Sequence, residues 1–465
     1  MKKKNRQKTL KQRMTYFIAV ITMIIITFSV VFFTSYNRPL NNTSSLPEER
    51  PAEVQLPEER PVEVQLPEEQ SIGDEESESV EESNVELIEL EEQQPPLKDS
   101  VLRISASYPD ISFMLYQIAT KYNCVGVSIA VFDGESRDYY IYQYGYRDLI
   151  TERRVGVNTK FNVASLSKPV AVVSAMALVD EGKLDLDADI STYLGYAVRN
   201  PHFPETVITT RMLMQHTSSM FDADAYFRAK NRHLPETVED LLESGVLFGE
   251  YEPGTQYSYS AFVGYAILGL ICEEISGKRF DDFAREVLFD PMGIDAAFNP
   301  NNLRDTENIA TLYESNHKRF YTVEDQLDIG DERVSDNDLV SANLTISAID
   351  YAKILVMLGN GGMFNDERVL SSVSVQEIYK TDVAGRAYRQ GLAMRSQDYP
   401  GVPLMNYYWH VGGFRGALTH YSHFINDNAN RGVVILTTGA ETGALWNEMG
   451  VMGVEFAIMS LQTLN

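Results

Sequence analysis

Hydrophobic and polar positions divide the chain into stretches of different period. Residues 14–37 are uncharged and dense in Ile, Val and Phe; at about 1.5 Å per residue, about 20 such residues cross a bilayer's hydrocarbon as a helix. Residues 46–70 instead repeat every ten positions (LPEERPAEVQ, LPEERPVEVQ, LPEEQ) with no apolar face. From about residue 99 the pattern becomes that of a folded domain. YPDISFMLYQIATKYN has helical spacing, and VGVSIAVFDG and YYIYQYGY read as two strands across a turn. A helical, loop-rich middle follows. Near the end YYWHVGG, ALTHYSHFIND and RGVVILTTG predict three more strands, and ETGALWNEMGVMGVEFAIMSLQTL a terminal helix. Strands at both ends around a helical middle predict an α/β fold, with a sheet part over 99–160 and 385–465 and a helical, all-α part over 161–384. A cleft is expected between them.

Charge sharpens the organisation. The head MKKKNRQKTLKQR holds seven cations on one side of the apolar run. Positive charge stays cytoplasmic, so residues 1–13 are read as a cytoplasmic tail, 14–37 as a transmembrane signal anchor, and the rest as extracellular. A cleaved signal peptide is the competing reading, but the run exceeds a signal core and no A-x-A-like site follows. Residues 38–98, Pro-punctuated and strongly acidic, are read as an extended, solvated spacer. The whole chain has a net charge of −26, which excludes a nucleic-acid binder, since phosphate contacts need clustered Lys and Arg. Cys124 and Cys272 are the only cysteines; too few for a thiolate metal site, they are read as buried free thiols.

The chemistry centres on Ser165-Leu166-Ser167-Lys168, which opens an apolar helical run. Positions i and i+3 share a helix face, so the Lys168 amine can stand beside the Ser165 hydroxyl. A desolvated lysine can take the proton of a serine nucleophile, and a helix start offers N–H groups to a developing oxyanion. A second copy, Ser315-Asn316-His317-Lys318, has no apolar helix behind it and is read as a surface loop. Further along, Tyr259 precedes an apolar helix, and His410, Gly412 and Gly413 sit on a predicted strand. A tyrosine beside a cation can act as a proton acceptor, and a glycine-rich strand lets a substrate approach the backbone.

Ser-x-x-Lys, then Tyr-Ser-x, then His-x-Gly, in this order, resembles the β-lactamase-related serine hydrolases: class C β-lactamases, D,D-peptidases and the esterases of their fold. MLMQHTSSM, EPGTQYSYS and ISAIDYAKILVMLGNGG resemble further segments of that family. The resemblance covers about residues 105–460 and implies a five-stranded antiparallel sheet flanked by helices. It implies Ser165 as the acylated nucleophile, Lys168 as its activator and Tyr259 as general base and then acid. It places His410 and Gly412 on the substrate strand, the Gly413 N–H as second oxyanion donor, and His216 as structural support. Neither a cofactor nor a metal is implied.

One departure stands out. The family's Tyr-x-Asn is here Tyr259-Ser260-Ala261, and a methyl group cannot contact a substrate amide. Ser335-Asp336-Asn337 spells a rival second motif but lies too far from Ser165 and is read as non-catalytic. Arg415 is a candidate holder of a substrate carboxylate. The resulting expectation is a membrane-anchored extracellular serine hydrolase acting on cell-envelope amides or esters. Its substrate is of the D-alanyl peptide or D-alanyl ester type, in cell wall or teichoic acid. The competing reading, favoured by Ala261, is a binding or sensing domain that kept the fold and lost turnover.

Overall fold

Gly126–Asp133 (β1) is built from β-branched and aromatic residues and is buried along its whole length, as a strand covered on both faces should be. It pairs antiparallel with Asp138–Asp148 (β2) on one side and with Ala429–Thr438 (β8) on the other. β8 pairs with Ala417–Asn426 (β7), and β7 with Asn406–Phe414 (β6). The first and last long strands among the described residues are therefore neighbours, and the five long strands run antiparallel in the order β2-β1-β8-β7-β6. Beyond β6 the edge continues through the two-residue strand Arg395–Ser396 (β5) and two more short pieces. The computed structural model describes residues 103–104, 116, 119–120, 122–135, 138–223, 238–328, 338–384, 388–396, 406–414, 417–426 and 429–440.

Helices cover this sheet. Ser167–Asp180 (α1) carries Pro169 in its first turn, where a missing N–H costs no helical bond, and ends before Gly182 at φ 68°. It is buried on nearly every side, as an all-round apolar helix must be. Val263–Ser276 (α3) and Asp338–Ala342 (α4) pack on it, Thr210–Met214 (α2) packs on α3, and Ala348–Gly359 (α5) lies on β1 and β8. One apolar core runs through both layers, from Phe132 and Leu436 of the sheet to Val172, Ile267 and Leu355 of the helices.

Three expectations change. The sheet is larger than five strands, because two-residue pieces extend its edges. The helical part is not purely helical: its described residues hold three two-stranded ladders, among them Lys160–Asn162 (β3) with Thr345–Ser347 (β4). Cys272 is fully buried and free, but Cys124 is free and only half-buried. The anchor, the spacer, most of the first helix, the terminal helix, Ser335 and Arg415 lie outside the described residues. Among the described residues, no helix is long and apolar enough to cross a membrane.

Candidate active site

Ser165 sits in a single 3₁₀ turn, Ala164–Leu166, that leads into α1. The turn is held from several sides. Ala164, at φ 49°, donates its N–H to Asn162 Oδ1 at 3.0 Å, and Asn162 is itself bonded to Asn343 at 2.9 Å. The Ser167 hydroxyl donates to Ala164 O at 2.6 Å and accepts from Leu344 N at 2.9 Å. Thr419 donates to Val163 O at 2.7 Å, and Tyr351 to Leu166 O at 3.0 Å. A non-glycine residue in the left-handed region is costly, and it persists where surrounding bonds fix it.

Two side chains converge on Ser165 in this turn. Lys168 Nζ donates to Ser165 Oγ at 3.2 Å and to the Ser341 carbonyl of α4 at 2.9 Å. The Tyr259 hydroxyl donates to the same Oγ at 3.1 Å. Lys168 is fully buried, whereas Tyr259 is 37% exposed, so the site opens at the tyrosine. Burial holds the Lys168 ammonium below its ordinary range. At Tyr259 burial pushes the phenol upward, but the Lys168 and Arg395 cations outweigh it, with a bond to Ser165 helping, and the net shift is downward.

Tyr259 is held by what surrounds its loop. The His216 ring lies 4.5 Å from the Tyr259 ring, buried, with no hydrogen-bond partner on either nitrogen among the described residues. His216 O accepts from Ser258 N at 2.8 Å. Asp222 accepts from the Ser260 hydroxyl and from the backbone N–H groups of Phe262 and Val263, each at 3.0 Å, and from Ala261 N as well. This carboxylate from a distant segment caps the start of α3 in place of a local N-cap residue.

The strand β6 closes the other side. Its Gly412 is required by close approach: a Cβ there would lie 2.4 Å from Val163 O, 2.4 Å from Thr419 Oγ1 and 3.0 Å from Ser165 N. Gly413 follows, paired with Leu418. His410 is fully buried, and its Nδ1 bonds to Val411 O at 2.8 Å. Burial, with Arg395, Lys168 and His216 nearby, holds its imidazole well below the usual histidine range, so His410 is a neutral group. Ser315 and Lys318 lie exposed in the turn between two short strands.

Two residues at this site carry no motif signal. Asp222 is one. The other is Arg395 of β5, opposite Trp409 in the sheet register. Its guanidinium carbon stands 5.4 Å from the Tyr259 ring centre, 4.8 Å from that of Tyr388 and 5.3 Å from that of Trp409. Arg395 is 8% exposed, and its Nε has no hydrogen-bond partner among the described residues. The described residues contain no group of ligating side chains that could hold a metal ion.

A serine touched by a buried lysine and a cation-flanked tyrosine, on an antiparallel sheet packed with helices, brings together the groups that serine acyl transfer uses. The sequence profile of the Beta-lactamase family matches residues 111–449. The chain belongs to that family. It is similar to penicillin-binding protein 4* of Bacillus subtilis (strain 168), 31% identical over 159 residues, or 33% of this chain and 34% of that protein. The chain thus matches about a third of that relative's length. Among solved structures its fold is similar to a class C beta-lactamase (TM-score 0.60, 18% identity, 75% of this chain and 94% of that one). It is also similar to EstCE1, a hydrolase with promiscuous acyltransferase activity (TM-score 0.58, 19% identity, 72% and 94%).

Proposed function

We propose that this chain is a membrane-anchored hydrolase that works outside the cell through a Ser165 acyl-enzyme, on D-alanyl amides or esters of the envelope. The observation that carries the reading is the convergence of Lys168 Nζ and the Tyr259 hydroxyl on Ser165 Oγ, at 3.2 and 3.1 Å. Tyr259, ionised beside Lys168, takes the Ser165 proton as Oγ bonds to the substrate carbonyl carbon. The oxyanion is received by the N–H groups of Ser165 and Gly413. Tyr259 returns the proton to the departing group, the carbonyl reforms, and the acyl-enzyme remains. Water then repeats the sequence: it loses a proton to Tyr259, attacks the acyl carbon and releases Ser165.

The uncharged run at 14–37 behind a basic head supports the anchor, and the acidic spacer supports display away from the bilayer. Ala261 favours esters over peptides: its N–H is engaged by Asp222, and its side chain has no amide to offer a peptide substrate. The test is turnover of a D-alanyl ester against a D-alanyl-D-alanine peptide. Release of D-alanine from the ester, lost in Ser165→Ala, is expected; acylation of Ser165 by neither substrate would reject the envelope reading.

A further inference from the structure

We propose that Arg395 is the second cation of the catalytic site, supplied by the neighbouring strand β5 because the strand that borders Ser165 offers there only the buried His410 ring. The inference rests on the reading of Ser165 and Tyr259 as nucleophile and base. A phenol that must give up its proton near neutral pH needs positive charge close to it. Lys168 is one such charge, but it also serves Ser165 and Ser341. His410, the strand residue that could hold a second charge, is sealed in the core with Nδ1 committed to Val411 O.

Arg395 fills that place. Arginine stays charged in any protein setting, and this one lies with its guanidinium carbon 5.4 Å from the Tyr259 ring centre. Tyr388 and Trp409 hold it there from its other sides at 4.8 and 5.3 Å, which is how aromatic faces position a guanidinium. No carboxylate is paired with it among the described residues, so its field falls on the site. The groups around Tyr259 are otherwise few. Lys168 comes from α1, neutral His216 from the turn after α2, Tyr257 from its own loop and Tyr265 from α3. Asp222 acts on Lys168, and Arg395 and Lys168 act on His410. Of these, only Lys168 and Arg395 lower the phenol by their charge. Arg395 acts through Tyr259 and is a positioning residue in this electrostatic sense.

The experiment follows pre-steady-state acylation of the full-length protein by p-nitrophenyl acetate, an uncharged ester with no carboxylate for Arg395 to hold, from pH 5 to 10. Wild type, Arg395→Met and Arg395→Lys are compared, with Ser165→Ala as control; a methionine fills the aromatic box without charge. The base must be ionised to act, so its pKa sets the acid limb. In Arg395→Met that limb moves up by about one to two pH units, with rates at pH 7 falling about tenfold or more and converging on wild type at high pH. Arg395→Lys keeps the limb within about half a unit of wild type. A limb that does not move in Arg395→Met, a loss equal at every pH, or a loss confined to carboxylate-bearing esters overturns the assignment, the last making Arg395 a substrate clamp. If the methionine variant does not fold, Arg395→Gln replaces it: the same upward move of the limb supports the assignment, and a limb at the wild-type position contradicts it. Acylation that survives in Ser165→Ala contradicts the nucleophile reading instead, a separate failure.

Discussion

The Tyr259 hydroxyl meets Ser165 Oγ at 3.1 Å across 94 residues of sequence. The turn before α1 and the loop before α3 reach one point because Asp222 fixes the second and the Asn162–Asn343 pair fixes the first. Removing the phenol oxygen should remove the base and leave the loop standing. Tyr259→Phe is expected to slow acylation by about 10²–10⁴-fold with an unchanged unfolding midpoint, measured by adduct formation and by urea titration on the same sample.

Asp222 should matter for both stability and rate. It accepts four bonds at the start of α3, three of them from backbone N–H groups. Asp222→Ala is expected to cost about 1–3 kcal/mol of stability and to lower acylation more than tenfold, because Tyr259 loses its fixed loop. Denaturant midpoints paired with acylation rates check this; a stability loss with full activity would separate the two roles.

Gly412→Ala should damage the nucleophile's turn from the opposite side. The added methyl meets the Val163 carbonyl and Thr419 hydroxyl at 2.4 Å, and such overpacking costs about 1–3 kcal/mol. Acylation should fall with stability, since the displaced backbone is that of Ser165 and its neighbours. Thermal melting and adduct rates test the pairing.

Acid should weaken the fold through its histidines. His216, His410, His420 and His423 are buried, and burial holds all four imidazoles down, His420 to about 3 and His423 to about 4. Unfolding returns these rings to about 6.5, so below that pH the unfolded chain binds protons that the native chain refuses. Their contribution is whole above pH 6.5 and drains away toward pH 4. The urea midpoint is expected to fall between pH 7.5 and pH 5; a midpoint that rises on acidification would contradict this.

Ala261→Asn tests the account of the missing amide. The variant is expected to raise the ratio of peptide to ester turnover, measured with a D-alanyl-D-alanine peptide and a D-alanyl ester. An unchanged ratio would show that the methyl group is not what limits amide substrates.

What was readable in the sequence follows from the range of each interaction. Ser165 and Lys168 share a helix face, so their meeting needs only local spacing. The long strands were visible through their apolar runs and alternation, as in Gly126–Asp133 and Ala429–Thr438. Strands of two or three residues, such as Arg395–Ser396 and Lys160–Asn162, have no period to detect. Arg395 reaches the site through sheet register with Trp409, and Asp222 through a loop-to-loop contact; neither leaves a trace in spacing. Arg415, the arginine singled out by its place after Gly413, lies outside the described residues.

The central claim is that Ser165 becomes covalently acylated. Intact-mass measurement of the purified protein after exposure to an activated ester and to a fluorescent penicillin tests it most directly. A single adduct of acyl mass on the Ser165 peptide, absent from Ser165→Ala, is the predicted result. An unmodified protein with every acylating reagent, or an adduct that persists in Ser165→Ala, would contradict it.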